Sequence, residues 1–285
     1  KIERVYSDEA KTGIFEEDNP FLEMISDDLL ETSVAVANRW KEEFVVSENQ
    51  KTNDLVFVQF SKEGVEHFAF LRIALRETLT HLGGEVDNPI KLTQNNLPGF
   101  GTGADEALVI NLQSHKYHLI EKRIKYNGTF LNYFSENLLQ AQPKISPKKS
   151  IKALEKTAQK IAESFNTDDF QFQSKVKSAI FNHIEEENKL SPEKLADDLF
   201  DDNLTARLSF IDQVKETVPE PVTFEEIDAS RQLKKFENQK LSLSNGIELI
   251  VPNNVYEDAE SVEFILNENG TYSILIKNIE DIQSK

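Results

Sequence analysis

Lysine recurs at positions 148, 152, 156 and 160, with Lys149 beside the first of them. On a helix over residues 147 to 165, at ~100° per residue, the four fall in one i, i+4 ridge. Ile151, Leu154, Ala158, Ile161, Ala162 and Phe165 gather on the opposite side. The spacing predicts a helix with one apolar and one cationic face. Ammonium groups on flexible stems are point charges, suited to following a phosphate backbone without reading bases. Their mutual repulsion costs roughly a few tenths of a kcal/mol per i, i+4 pair, relieved only by Glu155 at the edge and Glu163 near the end. A merely solubilising face usually interleaves both signs, and that plainer reading stands beside the phosphate one.

The setting sharpens the question, because the 285 residues carry a formal net charge of −18. Residues 1–50 hold five cations against thirteen acids, whereas residues 111–160 hold ten against three. Segregated charge acts on partners and solubility more than on fold. Beyond the ~8 Å Debye length at physiological salt the remote acids are largely screened, so a local cationic zone remains able to act. The reading is modest binding confined to one side. Lys116, Lys122, Arg123 and Lys125, read as lying on the last strand of the first domain, extend that zone, although charges there also blunt a solvent-exposed sheet edge. RQLKK (231–235) with Lys240 is a second, weaker cluster.

Other chemistries lack their residues. Without cysteine there are no thiolate nucleophiles, disulfides or cysteine-ligated metals. GFGTG (99–103) has neither the G-x-G-x-x-G spacing nor a following helix, and reads as a mobile loop. His115 and His118, three apart on a strand, would point to opposite faces. Glu9–Lys11 and Glu187–Lys189 have the acid-x-lysine spacing of a metal-dependent nuclease but lie outside strand-like segments. The acid runs at 185–187 and 197–202 lack the alternating oxygen ligands and glycine of a calcium loop. No catalytic residue, metal or cofactor is assigned. No apolar run approaches the ~20 residues of a membrane-spanning helix, and the composition fits a cytoplasmic protein. The chain opens on Lys1 and its one methionine is Met24, so the reading expects a segment upstream.

The elements that position these residues follow from periodicity. Lys1 to Tyr6 reads as the end of a helix. Leu30, Val34, Ala37, Trp40 and Phe44 predict an amphipathic helix over 28–47 with that face in the core. LVFVQF (55–60) and HFAFLRIAL (67–75) about SKEG predict a hairpin, and IKLT (90–93), ALVINL (107–112) and YHLIEKRI (117–124) predict further strands. From Thr129 the period turns helical, with Ser146-Pro147 and Ser191-Pro192 as helix starts. VPEPVTF (218–224) reads as a linker, and two strand pairs turning at Asn245-Gly246 and Asn267 to Gly270 form a small β-meander. The fold class is α+β: a mixed α/β domain with an antiparallel sheet over 1–126, a helical section over 127–217 and a β-rich module over 218–285.

In YSDEAKTGIF (6–15), DEALVINLQSHKYHLIEKRI (105–124), RQLKKFENQKLSLSNGIELIVPNNVY (231–256) and VEFILNENGTYSILIKNI (262–279), the chain resembles the 37-kDa nucleoid-associated protein family, NdpA or YejK-like, in its shorter Gram-positive form. The likeness runs over nearly the whole chain. It implies association with the bacterial nucleoid, a cytoplasmic location, no enzyme activity, and a strand and part of a helix lost before Lys1. It brings no agreed DNA-contact residues, so Lys116, Lys122, Arg123, Lys125, Lys148, Lys149, Lys152, Lys156 and Lys160 rest on the charge reading. Three functions remain open: non-specific contact with double-stranded DNA through that face, an acidic adaptor that reaches the nucleoid by binding another DNA-handling protein, or, as the least favoured, an enzyme whose motif is not among the known ones. The number of copies in the assembly is not readable.

Overall fold

A computed structural model describes residues 1–47, 51–81, 83, 90–166 and 170–283. These group into two compact units, Lys1–Lys148 and Lys149–Lys285, and the class is α+β.

The first unit is organised by a five-stranded antiparallel sheet. Its strands are β1 (Lys11–Ile14), β2 (Asn53–Lys62), β3 (Val65–Ala74), β6 (Glu106–Asn111) and β7 (Lys116–Ile120), in the order β1-β7-β6-β3-β2. The expected hairpin is β2–β3, closed where Glu63 and Gly64 both adopt positive φ, the requirement of a tight type I′ turn. Between β3 and β6 runs a separate two-stranded ribbon, β4 (Arg76–His81) with β5 (Ile90–Asn96). HFAFLRIAL reads as continuous apolar sequence because both faces of β3 are covered. Phe68 and Phe70 join Leu108, Ile110, Tyr117 and Leu119 beneath helix α1 (Leu29–Val45). The smaller Ala69, Leu71, Ala107 and Val109 pack with Val5 of the Ile2–Tyr6 turn on the other side. That opening turn is 3-10, not the end of an α-helix.

The face of α1 differs from the sequence reading. Asp28 caps the helix as acceptor for the Leu30 and Glu31 N–H groups, but the buried row is Thr32, Val36, Trp40 and Phe44. Leu30 and Val34 are exposed. The rotation follows from Trp40, whose Nε1 donates to the Tyr133 hydroxyl at 3.1 Å while its ring stacks on Phe44 at 4.5 Å. On β1, Gly13 pairs with Tyr117; a Cβ there would stand 2.3 Å from the tyrosine oxygen. Only glycine leaves the ring room to lie against Phe15.

The predicted run 117–124 is two strands, β7 and β8 (Ile124–Tyr126), the latter paired with β9 (Thr129–Leu131). The break comes at Glu121, whose carboxylate turns inward. It accepts from Lys11 Nζ at 2.6 Å and from the Ser135 backbone N–H and hydroxyl. Strand β9 also displaces the helix expected from Thr129, of which a π-type turn at Phe134–Leu138 remains.

The second unit contains most of α2 (Pro147–Ser164), then α3 (Phe170–Glu187), α4 (Pro192–Leu199), α5 (Leu204–Lys215) and α6 (Glu226–Phe236). Ser191 accepts from the Lys194 N–H ahead of Pro192 at the first turn of α4, as its sequence suggested. Residues 218–224 are not a free linker. Val218 and Phe224 are buried, and β11 (Val222–Thr223) pairs with β10 (Lys189–Leu190). The β-rich end is two hairpins, β12 (Asn238–Ser242) with β13 (Glu248–Pro252) and β14 (Val262–Leu266) with β15 (Tyr272–Ile276), separated by the short helix α7 (Asn253–Tyr256). Both turn where the sequence placed them, yet only Gly246 and Gly270 have positive φ in the two loops. Each is therefore a type I turn followed by a glycine bulge. The first hairpin is tied to α3 by a buried amide cluster: the Asn253 side-chain oxygen accepts from Ser178 Oγ at 2.7 Å and from Gln239 Nε2 at 2.8 Å.

Candidate nucleic-acid interface

Helix α2 forms where the lysine spacing placed it. Ile151, Leu154, Ala158, Ile161 and Ala162 are buried, and Phe165 just beyond the helix is half-buried. Lys148, Lys149, Lys152, Lys156 and Lys160 are all exposed. The hydrophobic row fixes the helix on its unit, and i, i+4 geometry then leaves the ridge in solvent.

Not every ammonium on the ridge stands alone. Lys148 pairs with Glu9, which raises its pKa, within the first unit. Lys160 donates to Gln213 Oε1 at 3.0 Å. Among the described residues, Lys152 and Lys156 form no salt bridge. Exposed pairs of this kind are worth ~0–1 kcal/mol, so an approaching phosphate can replace them. Of the two acids on that side of the helix, Glu155 is half-buried and Glu163, near the end, is exposed. Burial pushes the Glu155 carboxyl above the usual value, against the opposing pull of Lys177 and Lys152. Lys177, from α3, is therefore near enough to Glu155 to act on its charge. The sequence reading passed over Lys177 because it belongs to a different helix.

The four cations of the first unit do not form one patch. Lys116 opens β7, whereas Lys122 and Arg123 follow its end and Lys125 lies on β8. At ~3.3 Å per residue, β7 alone puts ~13 Å between its two ends. Lys122 donates to Asp105 at 2.9 Å and Arg123 donates to the Phe130 carbonyl at 2.6 Å. Both side chains are thus engaged within the first unit. RQLKK lies on α6, with Lys240 on β12.

Two groupings went unrecognised in the sequence. One is a buried chain in the first unit: Trp40 donates to Tyr133, Tyr133 donates to Glu106 Oε2 at 2.5 Å, and Arg72 Nε donates to the same oxygen at 2.6 Å. Arg72 also reaches Asn53 Oδ1 at 2.7 Å. Burial pushes the Glu106 carboxyl up, opposed by Arg72 and Tyr133, and it pushes the Tyr133 hydroxyl up as well. A lone arginine inside HFAFLRIAL is the signal that could have found it, since a buried guanidinium requires a partner. The other is Asp105, just before β6. Burial alone would raise its carboxyl, but Lys122 and the Ala74 N–H hold it below the ordinary 3.8.

A depressed pKa binds protons less tightly in the fold than in the unfolded chain. The stabilisation it brings is therefore full above the unfolded value and is lost as pH falls through the folded one. The difference in unfolding free energy between the intact chain and Asp105→Asn is expected to be constant from pH 7 to 5 and to shrink below about pH 4. Urea titrations at those pH values measure it; a gap that widens in acid would contradict the assignment.

The other residues singled out in the sequence stand apart from one another among the described residues. His115 sits in a turn with positive φ and His118 on β7, and no group of three metal-ligating side chains converges. Lys11 and Lys189 open strands, but Glu9 and Glu187 precede those strands and bond to Lys148 and Lys194. The GFGTG loop is bridged to Lys1, whose ammonium donates to the Gly99 and Thr102 carbonyls. A groove of about 650 Å³ lies beside Arg39, Glu43 and Asn137, where the Glu43 carboxylate accepts from both the Arg39 guanidinium and the Asn137 amide. No described helix is long and apolar enough to cross a membrane. The family model described as nucleoid-associated protein YejK matches residues 1–282, and no curated protein matches the chain.

Proposed function

We propose that this chain, which belongs to the nucleoid-associated protein YejK family, meets double-stranded DNA non-specifically through the exposed lysines of α2. The supporting observation is the division of that helix: five lysines in solvent on one side, a buried apolar row on the other, and two carboxylates among the cations, Glu155 half-buried and Glu163 near the helix end. Phosphate contact of this type needs positive charge that can reach a backbone and requires no base-reading side chains. Lys152 and Lys156 carry the contact, Lys148, Lys149 and Lys160 join it, and Lys177 extends it. Lys116, Lys122, Arg123 and Lys125 add a weaker, dispersed contribution. The protein acts without catalysis, in the bacterial cytoplasm on the nucleoid, and its affinity is modest because the rest of the chain is acidic.

Opposite charge changes at neighbouring positions test this reading. Glu155→Gln removes the half-buried acid from the ridge and is expected to tighten binding to a labelled duplex. Lys156→Glu is expected to weaken it by roughly tenfold or more at ~0.1 M salt. Equal affinities for the two variants would mean that the ridge is only a solvated face.

A second reading rests on the thirteen acids among the first fifty residues. They would suit an adaptor that reaches the nucleoid by docking on a cationic surface of a DNA-handling protein. DNA association that requires such a protein and survives loss of the lysines would favour it.

A further inference from the structure

Among the described residues, the β4–β5 ribbon pairs with no other strand and forms a sheet of its own. All six residues of β4 and five of the seven of β5 are exposed. An isolated two-stranded hairpin is marginal in water, and this one leaves three large apolar side chains uncovered. Leu79 is 72% exposed, Ile90 61% and Leu92 52%.

Register puts all three on one face. Leu79 pairs with Leu92 and His81 with Ile90, while Glu77 accepts from Gln94 at 3.1 Å. The face therefore reads Glu77, Leu79, His81 along β4 and Gln94, Leu92, Ile90 along β5. The other face is polar and satisfied within itself, with Thr78, Thr80 and Thr93 hydroxyls bonded to one another and to Asn96. Among the described residues, the exposed apolar side chains of the ribbon all lie on one side.

We infer that a second copy of this chain covers the apolar face, across a two-fold axis that runs perpendicular to the strands. An isologous contact has to be self-complementary, and the sequence along β4 meets that condition. Reversed by the axis, Glu77 stands opposite the partner's His81, an acceptor against an imidazole, and Leu79 stands on the partner's Leu79. Charge favours the same place. The chain carries −18 overall, so two copies repel over most of their surface, but the apolar face of the described ribbon holds a single acid, Glu77, which the axis sets against His81, while Arg76 and Lys91 stand on the other face. Here two copies approach without acid facing acid.

Sedimentation velocity on the intact chain over a range of concentrations tests the inference. A concentration-dependent dimer is expected, and Leu79→Asp with Leu92→Asp should weaken it by more than about tenfold. Both side chains are exposed, and unchanged Trp40 fluorescence checks that the fold is kept. Because the chain has no cysteine, Leu79→Cys and Thr80→Cys introduce single thiols on opposite faces. A short bismaleimide should join copies of L79C much faster than copies of T80C. A monomer at every concentration, as expected if a different protein covers the face, would overturn the inference. So would a dimer indifferent to the two aspartates, or equal cross-linking of the two thiols.

Discussion

Replacing Glu106 with alanine is expected to lower the stability of the first unit by about 3–5 kcal/mol, the cost of leaving a buried guanidinium without its counter-charge. Arg72 is 2% exposed and Glu106 fully buried. One Glu106 oxygen takes both the Arg72 Nε and the Tyr133 hydroxyl, so E106A also removes the acceptor on which the Trp40–Tyr133 pair depends. The double variant Arg72→Met, Glu106→Leu should recover most of the loss, since an apolar pair of similar volume is commonly neutral or stabilising where a single deletion is costly. Trp40 is the only tryptophan and belongs to the chain itself, so its fluorescence during urea unfolding follows this unit. A loss below about 1 kcal/mol for E106A would show that the pair is not a fastening of the fold.

This pair also marks what could be read before the structure. Arg72 and Glu106 are opposite each other only because β3 lies beside β6 in one register, and strand order is a non-local property that periodicity does not carry. Local patterns were more informative. Helix α2 was legible down to its buried residues because its apolar row, its lysines and its length agree. Helix α1 was legible as a helix, but its face was not: Leu30 and Val34 are as apolar as Val36, and the Trp40–Tyr133 bond decides which row turns inward. The two C-terminal turns were legible from Asn-Gly and Asn-x-x-Gly. Their type was not, because Gly at one positive-φ position satisfies a bulge as well as a type I′ turn. The run 117–124 divides because Glu121 finds Lys11, 110 positions away in sequence. For the candidate interface, the ridge on α2 was visible in one dimension. The engagement of Lys148, Lys160, Lys122 and Arg123 by neighbours, and the approach of Lys177, required three.

The second large effect is on DNA. If about five phosphates are neutralised, log K falls against log salt with a slope near −4.5, a loss of roughly 500-fold between 50 and 200 mM. Changing Lys148, Lys152, Lys156 and Lys160 to Gln removes up to four of those contacts and should leave a slope of about −1. Helix α2 should persist in the variant, because glutamine and lysine have similar helix propensity and the buried row is untouched.

The most direct measurement is that salt titration of binding to a labelled duplex, with the intact chain and the four-glutamine variant side by side. The account predicts a steep slope for the intact chain, and for the variant a loss of affinity at low salt with a slope shallower by several units. An intact chain that fails to bind at low salt, or a variant whose slope matches the intact chain, would contradict it.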